Sequence, residues 1–330
     1  MSMDFLSIEN PMQIWYISDG KAGHRAQMLG LVAGLERQSC LIHLSEIAVQ
    51  QLSWFGLLLC WLSYGLLKRL PSVLKSLAVP DVIAGVGHRT HWKVILVKKI
   101  LRRKNPRLKS LILMQPSLPV NWFDYLIIPK HDHPPVKAGI LVTEGVLNPL
   151  VNEQRHQLNR NLILIGGSSK RHGWSEVALI AQLQQVVQQV VGQQQGNGEL
   201  ILTTSRRTPT EFLQHEFLSQ LNSAQYPHVT IYPVAQTPTG WLFEQLQLAS
   251  SVWVTEDSVS MIYEALTAGC QVHLIQMPRL KQDRITCAVD DLLTQGLVKS
   301  LSKKAIDSGH QITLNEADRA ARWLIHHLQG

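Results

Sequence analysis

The amino-acid sequence predicts an α/β protein with two Rossmann-like domains, whose parallel sheets face a central cleft. Short runs of β-branched and aliphatic residues alternate with longer helical patterns along the 330 residues. This alternation is typical of parallel sheets covered by helices. One polar stretch, LVNEQRHQLNR at 150–160, interrupts the pattern, which then restarts, and we interpret it as a linker. Two domains are also the better expectation at this length, because single cores rarely grow so large.

The first domain is expected to span residues 1–150. Its strands are predicted near 13–17, 82–86, 111–114 and 125–128. Its helices are predicted near 25–37, 54–67 and 91–103. Ligands of such folds bind at the carboxyl ends of the strands, so the loops at those ends are where a site is expected.

The second domain, 151–315, begins with the buried-type strand NLILIGG. Its further strands are predicted near 200–203, 229–232, 252–255 and 272–275. Its helices are predicted near 175–191, 210–221, 241–249, 258–268 and 284–294, with GQQQGNGE as a solvent loop after the first. The amphipathic segment 316–328 is expected to form a closing helix within 316–330 that packs at the domain junction.

The positive charge is concentrated in one block of the first domain. The chain has a formal net charge of +7, but twelve Lys or Arg residues and a single acid, Asp81, lie between residues 47 and 123. Such a block indicates an anionic partner: nucleic acid, a membrane surface or a phosphorylated substrate. Nucleic acid fits least well, because the neighbouring tryptophans have no basic residues interleaved with them.

The uncharged run LSWFGLLLCWLSYGLL, at residues 52–67, lies beside this basic block. It is shorter than the roughly 20 residues that a membrane span needs. A core helix and a helix resting in a membrane surface both remain open, and the adjacent cations favour the membrane surface. Four scattered cysteines without a CxxC pair indicate a reducing cytosol, and the N-terminus lacks the pattern of a secretory signal.

The loop from Ser18 to Gln27 places two glycines, two cations and a histidine between a strand and a helix. Glycines allow close approach to backbone N–H groups, and a helix N-terminus favours an anion. His24 could act as a general base at neutral pH, with Asp19 as the second choice. A tight turn with a capping histidine is the alternative, since the loop is neither GxGxxG nor a P-loop.

Three loops of the second domain have similar chemistry. In IGGSSKRHGW, two glycines precede hydroxyls and cations; in TTSRRTP, a double arginine suits phosphate oxygens. In TEDSVSMIYEALTAG, Ser258 could cap a helix, and Glu264 could meet a ribose diol. Solvated turns and a surface glutamate are the alternatives. The stronger indication is that four anion-friendly loops are predicted to converge on one cleft.

The histidines of GVGHRTH and PKHDHPP could form a metal site on paper, but the helical spacing of a zinc enzyme is missing. These residues are His88, His91, His131, Asp132 and His133. No GxSxG nucleophile elbow occurs. The sequence therefore predicts neither a metal nor a cofactor.

Six colinear segments resemble the mitochondrial-fission Elm-type family, named for elongated mitochondria in plants. They are YISDGKAGHRAQ, GVGHRTHW, FDYLIIPKHD, LIGGSSKRHGW, TTSRRTP and VTEDSVSMIYEA. The resemblance covers most of the chain and implies a GT-B-like fold with the nucleotide-sugar donor in the second domain. Bacterial members of the family are described as glycosyltransferases of lipooligosaccharide outer-core assembly.

The run from Val229 to Gln276 is also similar to the donor half of MurG, the peptidoglycan GlcNAc transferase. This similarity implies that Glu264 holds the ribose, Ser258 and Ser260 approach the diphosphate, and Tyr232 offers backbone atoms to the base. The opening loop resembles the glycine-rich acceptor loop of MurG, although Lys21 stands where a glycine is expected. MurG-type enzymes dock on the inner leaflet through an apolar and basic patch, which here would be the 52–67 run and the basic block.

We therefore predict a metal-independent GT-B glycosyltransferase, peripheral to the cytoplasmic face of the inner membrane. It would transfer a sugar from a nucleotide-sugar donor to a lipid-linked or lipooligosaccharide-core acceptor, and it would bind no nucleic acid. The catalytic base is predicted to be His24 or Asp19, beside the acceptor-side residues Gly20, Lys21, Gly23, Arg25, His88 and Arg89. The predicted donor-binding residues are Gly166, Gly167, Ser168, Lys170, Ser205, Arg206, Arg207, Tyr232, Asp257, Ser258, Ser260 and Glu264.

Two alternatives from other classes remain. A membrane-associated adaptor could keep the fold without catalysis, as the recruiting role of the plant relatives implies. An epimerase-like enzyme would bind the donor but transfer nothing to an acceptor. The glycine, serine and arginine loops favour an active enzyme, because an adaptor does not need a diphosphate site.

Overall fold

Residues 11–67, 72–193, 198–221, 226–301 and 314–329 are described by the computed structural model. The chain divides into two units, Met1–Pro149 with Asn315–Gly330, and Leu150–Leu314. Each unit contains a six-stranded parallel sheet covered by helices, which confirms the predicted α/β fold with two Rossmann-like halves.

The sheet of the first unit has the strand order β2-β1-β3-β4-β5-β6. Its strands are β1 Met12–Ser18, β2 Ile42–Ala48, β3 Val82–Val86, β4 Lys109–Leu113, β5 Tyr125–Pro129 and β6 Ile140–Thr143. Its first helices are α1 Ala22–Arg37, α2 Trp54–Leu67, α3 Ser72–Lys75 and α4 His91–Leu101. Both faces of this sheet are buried: Val82, Ala84 and Val86 of β3 lie in one core cluster, and Ile83 lies in the other. This explains why the central strands are continuous apolar runs.

The second unit repeats the design with the strand order β12-β11-β10-β7-β8-β9. Its strands are β7 Gln157–Ile165, β8 Glu199–Thr204, β9 Val229–Tyr232, β10 Ala249–Thr255, β11 Gln271–Ile275 and β12 Val298–Ser300. Its helices are α5 Glu176–Gln193, α6 Glu216–Leu221, α7 Trp241–Leu248, α8 Val259–Ala268 and α9 Arg284–Thr294. Because β7, β8 and β10 are neighbours, their carboxyl-terminal loops lie at one edge of the sheet.

The closing helix α10, Glu316–Gln329, returns to the first unit and packs on α1. Ala320, Ala321 and Leu324 are fully buried there. A β carbon at Gly34 of α1 would lie only 2.7 Å from the carbonyl carbon of Ala317, so the two helices approach closely. The structure places this helix in the core of the first unit, and its predicted position at the domain junction stays a prediction.

Several predicted boundaries differ from the structure for local reasons. The strand β7 begins at Gln157, inside the stretch predicted to be a linker, because its polar start pairs with β10 through the backbone. The predicted helix at 210–221 is divided, because His215 adopts an extended conformation before α6. Three strands absent from the prediction, β2, β6 and β12, lie at sheet edges and are short or half-exposed.

The apolar run at 52–67 forms α2, which is partly core and partly surface. Leu52 and Leu57 are buried, whereas Phe55, Leu59 and Leu62 are 58%, 49% and 63% exposed. Within the described ranges, no helix has both the length and the apolar character that crossing a bilayer requires.

Candidate functional site

An aspartate and a histidine pair at the carboxyl end of β1. Asp19 follows the strand directly, and His24 lies in the first turn of α1. Nδ1 of His24 is 3.0 Å from Oδ1 of Asp19, which also accepts a hydrogen bond from the backbone N–H of Lys21 at 3.2 Å. The Asp19 side chain is fully buried, and 15% of the His24 side chain remains exposed.

The environment keeps Asp19 ionised and thereby fixes the tautomer of His24. Burial opposes ionisation, but hydrogen bonds from Lys21 and His24 and the charges of both residues outweigh it and hold the pKa of Asp19 below its usual value. A carboxylate only accepts hydrogen bonds, so Nδ1 of His24 carries the hydrogen. In the neutral form of the ring the lone pair is therefore on Nε2, the arrangement that a general base needs.

Gly87, directly after β3, leaves the space that the imidazole occupies. A β carbon at this position would lie 2.7 Å from Nδ1 of His24, and the backbone has a φ of +83°. The close approach joins the loops after β1 and β3, and it places the exposed residues His88 and Arg89 next in the chain. Gly87 was not among the predicted site residues; its signal is a glycine that immediately follows a buried strand in GVGH.

The other acceptor-side residues divide into two groups. Lys21 is exposed and lies 3.7 Å from Oδ2 of Asp19, so it stays beside the pair. Gly20 and Gly23 are exposed in open space. Arg25 instead donates to Glu46 of β2 at 3.0 Å. Its predicted acceptor role is therefore not supported by its position, because the neighbouring strand already supplies a carboxylate.

In the second unit, Arg207 and Asp257 connect three loops. Nη2 of Arg207 lies 2.7 Å from Oδ2 of Asp257, and Nη1 donates to the carbonyl oxygens of Gly167 at 2.9 Å and Ser168 at 3.3 Å. Oδ2 of Asp257 also accepts the N–H of Gly167 at 3.0 Å. Both side chains were predicted to bind the donor, but they are already bound to each other and to the glycine loop.

The glycines of this loop make room for protein atoms. A β carbon at Gly166 would lie 2.7 Å from Cγ of Asp257, and one at Gly167 would lie 2.8 Å from Cβ of Arg207. The predicted role of these glycines, close approach to a phosphate, is therefore replaced by close approach to the Asp257 carboxylate and the Arg207 main chain.

Lys170 and Arg206 are exposed at the same edge of the sheet and make no ion pair within the described ranges. Ser168 is exposed beside them. Ser205 uses its hydroxyl inside the loop, where Oγ accepts the N–H of Arg207 at 3.1 Å. Lys170 and Arg206 thus remain the cations with free donors for an anion, whereas Ser205 shapes the loop.

The helix α8 places the remaining predicted donor residues. Ser258 precedes it but does not cap it with its side chain, and Ser258 is buried while Ser260 is exposed. The predicted side-chain cap is wrong, because the Ser258 backbone lies outside the usual extended geometry of a cap. Glu264, two turns further, makes no hydrogen bond or ion pair among the described residues. It keeps some exposed surface, yet the protein packed around its carboxyl group raises its pKa to about 7 by desolvation.

Tyr232 ends β9, with an exposed ring that tilts against Trp241 at 5.1 Å. Its carbonyl oxygen accepts the hydroxyl of Thr203 at 2.7 Å. The predicted contact of a base with the Tyr232 backbone therefore competes with an existing hydrogen bond, whereas the ring pair remains accessible.

His172 of the IGGSSKRHGW loop was not among the predicted site residues. His172 is only 2% exposed, and neither ring nitrogen has a hydrogen-bond partner in the part of the chain that the structure describes. Burial lowers its pKa, against the attraction of Glu256 and Asp257. An isolated bridge to Arg279 holds its backbone. Its neutral ring packs this loop against the turn that follows β11.

An open depression of about 420 Å³ lies at the ends of β10, β11 and β12. Arg279 in its lining pairs with Glu256 at 2.6 Å and with Asp290 at 2.8 Å, so its charge is already neutralised. Among the described residues, no group of three or more His, Cys, Asp or Glu side chains could hold a metal.

Sequence and structure comparisons place the chain among known proteins. It matches the family described as Mitochondrial fission ELM1 over residues 22–328, and it belongs to this family, which confirms the predicted resemblance. It is similar to RP120 of Rickettsia prowazekii (strain Madrid E), at 23% identity with 94% of this chain and 97% of that protein covered.

Its fold is similar to that of the glycotransferase of kitacinnamycin, with a TM-score of 0.50 and 12% identity over 97% of this chain and 100% of that one. It is also similar to Phytolacca americana UGT2 complexed with UDP-2fluoro-glucose and pterostilbene, with a TM-score of 0.46 and 10% identity over 95% and 89% of the two chains. The first of these likenesses describes the fold, which is GT-B-like.

Proposed function

We propose that this member of the Mitochondrial fission ELM1 family is a glycosyltransferase that moves a sugar from a nucleotide-sugar donor to a saccharide acceptor. The observation that carries the proposal is the buried Asp19 carboxylate that orients His24 at the carboxyl end of β1. Strand ends of Rossmann-like sheets are where ligands of this fold class bind. The similarity in fold to a glycotransferase supports the same class of reaction.

In the proposed reaction, Nε2 of His24 accepts the proton of an acceptor hydroxyl. The hydroxyl oxygen then forms a bond to the anomeric carbon of the donor, and the bond from that carbon to the diphosphate breaks. The nucleoside diphosphate leaves with the bonding electrons. Asp19 stabilises the positive ring that results, because its buried carboxylate faces Nδ1 at 3.0 Å.

The second unit would bind the donor. Lys170 and Arg206 offer cations that make no ion pair with the described residues, and the first-turn amides of α8 offer the positive end of a helix dipole. These groups would stabilise the charge that develops on the leaving diphosphate. Glu264 would meet the ribose hydroxyls, since its carboxyl group is desolvated and has no hydrogen-bond or ion-pair partner in the described ranges.

A surface of the first unit suits an anionic membrane, and we name it the α2/α4 face. Phe55, Leu59 and Leu62 lie on one side of α2, at the spacing of a helical stripe. On α4, Trp92 is 52% exposed, and Lys99 lies 4.9 Å over the ring of Trp61. Exposed aromatic and aliphatic groups flanked by lysines and arginines are typical of peripheral membrane helices.

We therefore propose peripheral association with the cytoplasmic face of the inner membrane. The acceptor would be a lipid-linked or lipooligosaccharide-core saccharide, which that position would bring within reach of His24. This surface also favours the second candidate function, a membrane-associated adaptor without catalysis.

The test has two stages. In the first, the intact chain is screened by thermal shift with UDP-, GDP-, CMP- and dTDP-sugars, and a clear rise for one of them is expected. In the second, release of the nucleotide from that donor is measured with and without lipid-linked saccharides. Acceptor-dependent release supports the transferase, and release without an acceptor indicates an epimerase-like or hydrolytic reaction. Vesicle binding without any nucleotide binding would indicate the adaptor and would overturn the proposal.

A further inference from the structure

Arg207 pairs with the buried carboxylate of Asp257, whereas an arginine that binds a ligand keeps its guanidinium donors available for that ligand. We infer that these two residues are positioning residues, which hold the three donor-side loops in shape without touching the donor. The inference rests on the proposed function, because it concerns the same donor site. It reassigns two residues that the sequence alone associates with phosphate binding.

Both backbone polar groups of Gly167 are hydrogen-bonded to side chains of the protein. Its N–H donates to Oδ2 of Asp257 at 3.0 Å, and its carbonyl oxygen accepts from Nη1 of Arg207 at 2.9 Å. Arg207 and Asp257 then close the ring at 2.7 Å. This N–H is therefore occupied by protein, and the loop cannot offer it to a phosphate while the ring is closed.

The carboxylate of Asp257 is a buried charge that needs a compensating cation. The Asp257 side chain is fully buried, and its Oδ1 has no hydrogen-bond partner in the described part of the chain. Arg207 is the cation that compensates this buried charge. If Arg207 moved to a phosphate, a buried carboxylate would lose its cation, which is strongly unfavourable. A diphosphate in its place would also meet the negative charge of Asp257.

Arg206, the neighbour of Arg207 in the chain, lies in a different environment. Arg206 is exposed and has no ion pair among the described residues, whereas Arg207 makes four polar contacts within the loops. The double arginine of TTSRRTP thus divides into two roles. Arg207 fixes the loop, and Arg206 extends from the fixed loop toward an anion.

A double-mutant cycle tests this division in the full-length chain. The variants are Arg207→Ala, Asp257→Ala and the double variant, and the affinities for UDP, GDP and dTDP are measured by calorimetry below the melting temperature of every variant. Each single variant is expected to weaken binding about tenfold, and the double variant is expected to weaken it no further, since either change opens the same ring. The direction of the change in nucleotide affinity in Asp257→Ala is decisive. If Arg207 contacted the phosphate, the chain would bind the nucleotide more tightly once the competing carboxylate was removed.

Two control variants accompany the cycle. Arg206→Ala is expected to weaken binding by a similar factor with an unchanged melting temperature, and its effect should multiply with that of Asp257→Ala. Arg155→Ala, which removes an exposed pair with Glu244, is expected to leave nucleotide affinity unchanged.

The results distinguish a failure of the positioning role from a failure of the proposed function. If the wild-type chain binds one of the nucleotides and Asp257→Ala binds it equally or more tightly, the positioning role is overturned and the proposed function stands. Independent losses from Arg207→Ala and Asp257→Ala would have the same meaning. If the wild-type chain binds no nucleotide, the proposed function fails, and the donor-positioning role fails with it. Melting temperatures of the same four proteins then still show whether the ion pair couples the loops.

Discussion

The imidazole of His24 fills the space that a side chain at position 87 would need. The Cβ of an alanine there would lie 2.7 Å from Nδ1 of His24, and the residue would also have to adopt a φ of +83°. We expect Gly87→Ala to displace the ring from Asp19 and to lower the transfer rate on the order of a hundredfold, with nucleotide affinity unchanged. Steady-state kinetics and calorimetry measure the two effects.

The control for this variant is Gly296→Ala in the second unit. Gly296 also has a positive φ, +71°, but its added β carbon meets nothing within 4 Å. It therefore reproduces the backbone strain without the collision. An equal loss of activity in both variants would attribute the effect to strain and remove His24 from the explanation.

Removing the base should lower the rate of the chemical step without affecting donor binding. We expect His24→Ala to lower kcat by a factor on the order of 10²–10⁴, the usual range for general-base catalysis. Asp19→Asn should have a smaller effect of the same kind, because the amide can present its N–H to Nδ1 and favour the wrong tautomer. His43→Ala, at an exposed position of β2, serves as the matched control. Full activity of His24→Ala would exclude this histidine as the base.

The pH dependence of stability should report the carboxyl group of Glu264. Its pKa in the folded chain is about 7, above the ordinary 4.5, so the folded state binds this proton more tightly than the unfolded state. Its contribution thus favours folding at low pH and is lost as the pH rises through about 7. We expect Glu264→Gln to raise the melting temperature by about 5 °C at pH 8 and by little at pH 4.5.

The exposed Glu216 on α6 provides the comparison. Glu216→Gln should change the melting temperature equally at both pH values. If Glu264→Gln behaves in the same way, its carboxyl group is hydrated in the folded chain and the desolvated ribose contact loses its basis.

The contact of α1 with α10 reverses the usual effect of a glycine replacement. Alanine normally stabilises a helix interior by about 0.5–1 kcal/mol relative to glycine, and Gly56→Ala in α2 should follow this rule because its nearest neighbour would be 3.6 Å away. At Gly34 the new methyl group would press on the Ala317 backbone. We expect Gly34→Ala to lower the free energy of unfolding by about 1–3 kcal/mol, measured by urea denaturation. Stabilisation by both variants would show that the helices are not closely packed.

Membrane association should depend on the α2/α4 face. We expect Leu62→Asp, which places a charge at a position 63% exposed, to weaken binding to vesicles containing phosphatidylglycerol about tenfold or more. Val177→Asp on α5, where the side chain is 83% exposed, should leave vesicle binding unchanged. Cosedimentation measures both, and equal binding by Leu62→Asp and the wild type would remove α2 from the contact.

The sequence predicts the central strands well because they are buried on both faces. Val82–Val86 and Tyr125–Pro129 are found where the apolar runs place them. The edge strand Ile42–Ala48 is half-exposed and carries His43 and Glu46, so it lacks a periodic apolar signal. Its place is set by backbone pairing with β1, which a sequence pattern does not reveal.

In the site, too, contacts between residues close in sequence can be predicted, whereas contacts between distant residues cannot. The pairing of Asp19 with His24 is within one loop, and the sequence identifies both residues as candidates. Arg207 and Asp257 are 50 positions apart, so no local pattern shows that one neutralises the other. The two glycines of IGGSSKRHGW have the same appearance whether they approach a phosphate or an aspartate in the loop after a neighbouring strand.

The position of α10 has a consequence for the order of events during translation. Residues 150–314 form an uninterrupted stretch of chain and can complete their own core as soon as they leave the ribosome. The amino-terminal sheet emerges earlier but lacks Ala320, Ala321 and Leu324 until α10 has been synthesised. At usual elongation speeds this interval is on the order of ten to thirty seconds, during which the side chains of Leu31 and Leu35 have no covering helix. The half that is made first is therefore the half that is finished last.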